Sequence, residues 1–229
     1  MRQQVTKLAA HVETLLDILL DAHARWALLE PILTDRSIIA AWGGGARARA
    51  LDGIRRSLMH VCVLDIAHIT LESEERSPSI KKVMSDLQNQ STLKLLRSDF
   101  IAVWAGTKAS VPDFEERAIE AAARFDRDLA TARGGWAALE ASTRLKGFKT
   151  FRDKNLAHVE LMYESGRYEQ LKVSALGIKW KDIGLILDEI QPVVLALNSI
   201  CRAAGMDMAD TRERFAESAT VFWGARSVA

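Results

Sequence analysis

Proline is scarce, with four in 229 residues, and no alternating β-branched run of useful length occurs. Together these absences leave helix as the expected state of nearly the whole chain. Only two cysteines are present, Cys62 and Cys201, far apart and outside any CxxC spacing. Each lies in a helix-like apolar run, which points to buried free thiols in a reducing compartment. The start, "MRQQVTKLAAHVETLLDILLDAHARW", lacks the uninterrupted apolar core and small-residue cleavage site of a signal peptide. No run approaches the roughly 20 apolar residues needed to span a bilayer. A cytoplasmic protein without membrane association is therefore expected. Excess charge is lacking too: the net charge is +1, so no global field marks a nucleic-acid or membrane binder, and any basic surface must be local.

What is there is ordinary for a soluble globular chain, 48% hydrophobic and 27% charged residues, enough to bury a sizeable core. Val5 to Leu29 is periodic, with Leu8, Val12, Leu15, Leu16, Leu19 and Leu20 on one stripe and Pro31 expected to close it. Ser37 to Trp42 reads as a short helix stopped by Gly43-Gly44-Gly45, and a long helix follows from about Arg47 to Leu71. Ser77 and Pro78 read as N-cap and first helical position of the next, and Thr92 to Trp104 continues helically. Pro112-Asp113 opens a long segment reaching Met162, with Gly134-Gly135 and Gly147 as candidate bends. The stretch Tyr163 to Trp180 is the least helical, a loop or short hairpin. Lys181 to Ala204 is amphipathic, with Pro192 as a candidate kink. Met206 to Trp223 forms a last helix whose Phe215, Phe222 and Trp223 need covering. No repeat, low-complexity tract or flexible linker divides the chain. The economical reading is one all-α helical-bundle domain over 1–229, with its core at about 5–204 and a C-terminal helical extension at 205–229.

One stretch breaks the pattern: "KGFKTFRDKNLAHVELMY", Lys146 to Tyr163. At about 100° per residue, Phe148, Phe151, Leu156, Val159 and Met162 form an apolar arc opposite Lys149, Asp153, Ala157 and Glu160. Arg152, Asn155 and His158 fall inside that arc at three-residue steps, with Asn155 bridging the other two. Burying a guanidinium and an imidazole without partners costs several kcal/mol, so such groups are paired or face something polar that arrives later. Three readings compete: Arg152 paired with a carboxylate of a neighbouring helix and His158 a satisfied core histidine; a subunit interface; or an active site for a phosphate-bearing substrate, which guanidinium and imidazole suit.

Arg152, the polar Asp153, four further residues and His158, in an all-α chain, resemble the HEPN superfamily (higher eukaryotes and prokaryotes nucleotide-binding), whose R-x4–6-H motif lies on one helix of a small bundle. The form "FRDKNLAH" looks most like its abortive-infection (AbiU-two-like) branch. The layout is similar as well: a long first helix, then "LMHVCVLDIAHITLESEERSPSIKKVMSDL", the motif helix and a long closing helix, over about Val5 to Ala204. The resemblance implies a metal-independent ribonuclease, without cofactor, whose two motif helices meet about a two-fold axis in a homodimer, acting as a toxin or phage-defence effector with a possible cognate antitoxin. One His158 would take the proton of the ribose 2′-hydroxyl and the other protonate the leaving 5′-oxygen. The two Arg152 side chains would stabilise the phosphorane-like charge. By the family pattern Asp153 helps orient the site. Asn155 is a catalytic candidate from geometry, and Lys149 and Lys154 are placed to hold flanking RNA phosphates. Some HEPN toxins carry a tyrosine two residues past the histidine, modified by a partner nucleotidyltransferase; Glu160 stands there instead and Tyr163 is too far along.

The alternative from another class is a catalytically silent HEPN-like helical module that binds a partner protein or nucleotide. A third is a metalloprotein using Asp65, His68 and Glu72 at i, i+3, i+7 spacing, against which stands a plain polar stripe paired between helices. His60 and Cys62, two residues apart, point to different faces and form no ligand pair. Arg47, Arg49, Arg55 and Arg56 form either a solvated helix surface or an RNA-backbone footprint. Lys81, Lys82, Lys94 and Arg97 read as surface charges, and the six tryptophans as core or interface anchors. "GGGAR" lacks the Gly-Lys-Ser/Thr ending of a phosphate-binding loop.

Overall fold

Side-chain caps, more than prolines, set the helix ends. In the computed structural model, which describes residues 2–72, 74–106, 113–157, 161–164, 167–170 and 178–224 (backbone alone for 155–157 and the two strands), the first helix, α1, spans Arg2–Thr34 and runs through Pro31. The expected stop fails because Leu29 and Ile32 on either side of the proline are buried, and the Pro31 carbonyl still accepts from the Asp35 N–H at 2.8 Å. One lost backbone donor is outweighed by burial of the flanking pair. Asp35 caps α2 (Arg36–Trp42), accepting from the N–H groups of Ser37 and Ile38. Next, α3 (Gly45–Thr70) opens on Gly45 at φ +58°, a conformation that favours glycine.

The cap of α4 (Ile80–Asp86) is Ser79, not Ser77. Ser79 is fully buried, so its hydroxyl must be bonded. As cap it accepts from the Lys82 N–H at 3.0 Å and donates to the Glu72 carbonyl. Asn89 caps α5 (Gln90–Ala105). The helix α6 (Phe114–Ala141) passes unbroken through Gly134 and Gly135. The bend expected at those glycines falls instead at Ser142, which caps α7 (Thr143–Phe151). A π-helical turn, Arg152–Ala157, follows. The least helical stretch is a hairpin of β1 (Leu161–Glu164) and β2 (Arg167–Gln170), antiparallel with Tyr163 opposite Tyr168. Finally come α8 (Asp182–Arg202), with Pro192 inside it, and α9 (Met208–Phe222), capped by Asp207. The described residues are all-α apart from this hairpin.

The chain divides into two compact units. The first comprises Met1–Leu19, His68–Ala141 and Asp188–Met206. Its core holds Leu8, Val12, Leu15, Phe100, Phe125, Ile190, Val193 and Leu197. Phe100 and Phe125 meet edge to face at 5.5 Å, and the Ser199 hydroxyl donates to Asp128 at 2.6 Å. The second comprises Leu20–Ala67, Ser142–Leu187 and Asp207–Ala229. Leu29, Met59, Val63, Ile66, Phe148, Phe151, Ile183 and Ile186 form its core. There the Trp223 indole donates to the Leu28 carbonyl at 2.9 Å and its ring meets Trp42 edge-on at 5.6 Å. Of the aromatics on α9 that needed covering, Trp223 is buried, whereas Phe222 is 64% exposed.

Both cysteines are free and buried, and burial pushes their thiols up to about 12. One expectation is corrected by α8: it is long and apolar enough by length and composition to cross a membrane, with a mean hydropathy of 1.5. Its apolar side chains, from Ile183 to Ile200, are largely buried within the two cores.

The two adjacent glycines of α6 give substitutions of opposite sign. A Cβ on Gly135 would lie 2.5 Å from Val193 Cγ2, and valine is stiff in a helix. Gly135→Ala is expected to destabilise by about 1–3 kcal/mol in urea unfolding. A Cβ on Gly134 meets nothing within 4 Å, so Gly134→Ala is expected to stabilise by about 0.5–1 kcal/mol.

Candidate functional site

The motif begins where α7 ends. Leu145, Phe148 and Phe151 are buried at three-residue steps and anchor that helix in the second unit. Lys149 lies exposed on the other side. The backbone N–H of Arg152 is shared between the carbonyls of Phe148 and Lys149, and from there the ladder widens into the π turn. Single π turns inside helices occur frequently at functional sites.

This geometry corrects the continuous α-helix expected over Lys146 to Tyr163. The 100° step holds only to Phe151; Arg152–Ala157 turns through a smaller angle per residue, and from Leu161 the chain is a strand. Met162 therefore does not extend the apolar arc. Arg152 retains the half-buried position that the arc implied, with its side chain 18% exposed.

Its partner is the neighbouring carboxylate. Arg152 Nε donates to Asp153 Oδ1 at 2.8 Å, and an Nη of the same guanidinium lies 2.7 Å from that oxygen. One edge of the fork is thus held by a single carboxylate oxygen, which fixes the plane of the guanidinium. Neighbours on an α-helix do not ordinarily face each other. Here the pair sits where the α-helix gives way to the π turn. Lys154, in the same turn, is half-buried. The side chain of Asn155 and all of His158 lie outside the described residues, so the structure joins Arg152 and Asp153 and leaves the roles proposed for Asn155 and His158 as expectations.

A second imidazole approaches the motif. His60 of α3 packs at 5.8 Å from the ring of Phe151, the residue before Arg152, with planes tilted by 52°. Arg56, one turn earlier on α3, and Asp52 share this stretch: Asp52 accepts from both Arg55 and Arg56, offsetting one of the four positive charges of the basic run, while Arg47 and Arg49 are exposed. The spacing of Arg56 and His60 put them on one helical face, but nothing in the sequence said that this face meets α7. At the other end of α7, a cleft of about 520 Å³ is lined by Arg144, Lys179, Lys181 and Asp182, and Arg144 lies 3.7 Å from the Asp182 carboxylate.

The metal reading loses its first ligand. Asp65 is buried and accepts from Arg25 at 2.6 Å, with Asp21 on the same guanidinium at 2.9 Å. Among the described residues, no group of three His, Cys, Asp or Glu side chains is placed to hold a metal ion. Of the residues expected as surface charges, Arg97 pairs with Asp126, whereas Lys82 is largely buried and pairs with the equally buried Asp86.

Burial, and then the charge of Arg56, lower the pKa of His60 below its ordinary value of 6.5. As pH falls through about 6.5 the unfolded chain takes up a proton that the folded one still refuses, so stability is lost in that window. His60→Gln is expected to flatten the decline of unfolding free energy between about pH 7 and pH 5. An unchanged slope would mean that the folded structure does not shield this imidazole.

A family model described as AbiU2, of the HEPN type, matches residues 6–222, nearly the whole chain. No curated protein and no solved structure matches the chain significantly. The breadth of that match, together with the Arg152–Asp153 motif on an all-α scaffold, assigns the family. The chain belongs to AbiU2, the abortive-infection branch of the HEPN proteins.

Proposed function

We propose that the protein is a metal-independent RNA endonuclease of phage defence, working as a homodimer in which two motif segments share one cleft. The observation that carries this reading is the clamp of Arg152 by Asp153, a half-buried guanidinium held in one plane at the end of an anchored helix. A group held in that way needs little reorganisation when charge develops on a scissile phosphate. In the reaction, one His158 removes the 2′-hydroxyl proton and the 2′-oxygen attacks phosphorus. The bond to the 5′-oxygen then breaks, and the second His158 gives that oxygen a proton. The products are a 2′,3′-cyclic phosphate and a 5′-hydroxyl. Asp153 holds Arg152 in register, and Asn155 is a further hydrogen-bonding group at the site. Lys149, Lys154 and the cationic cleft at the start of α7 contact flanking phosphates, a charge-based grip that salt weakens.

Cleavage of single-stranded RNA in EDTA, with cyclic-phosphate ends, is the expected outcome. Arg152→Ala and His158→Ala are each expected to lower the rate by about 100-fold or more while circular dichroism stays unchanged. Asp153→Asn is expected to cost less, since it loosens the guanidinium without removing it. Lys149→Ala is expected to weaken binding and reduce its salt dependence. Folded Arg152→Ala and His158→Ala variants as toxic to host cells as the parent would refute catalysis by the motif and leave a silent binding module.

A further inference from the structure

We infer that a second site, in the first unit, binds a small anion bearing a phosphate chain. It is a pocket of about 230 Å³ lined by Trp104 of α5 and by Arg117, Glu120, Ala121, Arg124 and Arg127 of α6. The four charged residues fall at steps of three, four and three along α6, so they share one face.

Elsewhere the chain pairs arginines one to one with carboxylates: Arg97 with Asp126 and Arg214 with Asp210. Here two guanidiniums are held by a neutral residue. Arg124 lies over the Trp104 ring at 4.0 Å, and Arg117 donates to the Trp104 carbonyl at 3.3 Å. A cation held over a ring is gripped by its face, so its in-plane N–H groups remain directed outward as donors. Arg127 is exposed and makes no ion pair or hydrogen bond among the described residues. Glu120 lines the pocket without forming an ion pair to any of the three. Asp128, outside the lining, is 3.8 Å from Arg124 Nε and already accepts from Ser199. Three guanidiniums and one carboxylate thus line the pocket, and that carboxylate is paired with none of them. Among the described residues, the buried indole N–H of Trp104 also has no acceptor.

Such a donor surplus suits a ligand rich in acceptors and negative charge. Guanidinium forks match phosphate oxygens in pairs, and several forks around one small pocket fit a diphosphate better than a single carboxylate. The volume, about 230 Å³, is that of a small molecule.

The test is titration calorimetry of the full chain in phosphate-free, low-salt buffer, with pyrophosphate and separately with adenosine diphosphate. Saturable binding of one molecule per chain is expected, with a change in tryptophan fluorescence that disappears in Trp104→Phe. Arg127→Gln, which removes an exposed and unpaired side chain, is expected to weaken binding about tenfold, as is Arg124→Lys, which keeps the charge but loses the stacked fork. Arg133→Gln, an exposed position further along α6, is expected to bind as the parent does. Tighter binding of adenosine diphosphate supports the site with a nucleotide as the source; equal binding supports it with the phosphate chain alone recognised. No saturable binding of either up to about 10 mM overturns the proposal, since affinity weaker than millimolar is below what such a site provides. Affinity unchanged in both Arg124→Lys and Arg127→Gln also overturns it, as does binding of single-stranded RNA that depends on Arg127 while pyrophosphate is ignored.

Discussion

A helix that buries a row of side chains at three-residue steps fixes the direction of the residue that follows. Leu145, Phe148 and Phe151 form such a row. Because they are anchored, Arg152 leaves α7 at a defined angle, and the widened turn after it brings the Asp153 carboxylate onto its guanidinium. Without the buried row the arginine would be a mobile surface cation. Without the change of turn, its neighbouring carboxylate would point elsewhere. The chemistry proposed for the motif rests on this junction, since a preset guanidinium stabilises developing charge with little reorganisation.

The chain treats its arginines in distinct ways, and the treatment separates structural from functional candidates. Arg25 holds the buried carboxylate of Asp65, a pair whose disruption would strand a charge in the interior. Arg55 and Arg56 share Asp52 and serve a solvated surface. Arg152 is oriented by a carboxylate within its own motif. Arg117 and Arg124 are gathered by a tryptophan, which fixes their positions without itself supplying a counter-charge. Orientation without neutralisation is what an anion site requires, and orientation by an adjacent carboxylate is what a catalytic cation requires.

Much of the architecture was legible because it depends on local rules. The stripe from Leu8 to Leu19, the short helix after Asp35, the helix from about Arg47, the amphipathic run from Lys181 and the hairpin within the least helical stretch all stand in the structure. The misreadings occurred where burial overruled local preference. Pro31 did not stop α1, because apolar neighbours on both sides were worth more than one backbone bond. Ser79 displaced Ser77 as a cap, since only a buried hydroxyl with partners at both ends is satisfied. Gly135 left α6 straight and accommodates Val193 instead.

At the motif, spacing determined that Arg152 would be partly withdrawn from water, because the periodicity of an anchored helix is a property of the chain alone. Composition likewise determined a helical fold with free thiols, since few prolines and two distant cysteines allow little else. Only the tertiary structure decided which partners those residues met: Asp153 for Arg152, Phe151 for His60, Arg25 for Asp65 and Trp104 for Arg124. The physical reason is one of range. Helical periodicity is set by hydrogen bonds four residues apart, whereas these pairings, apart from Arg152 with its neighbour, join positions tens of residues apart. They exist only once packing has chosen which faces meet.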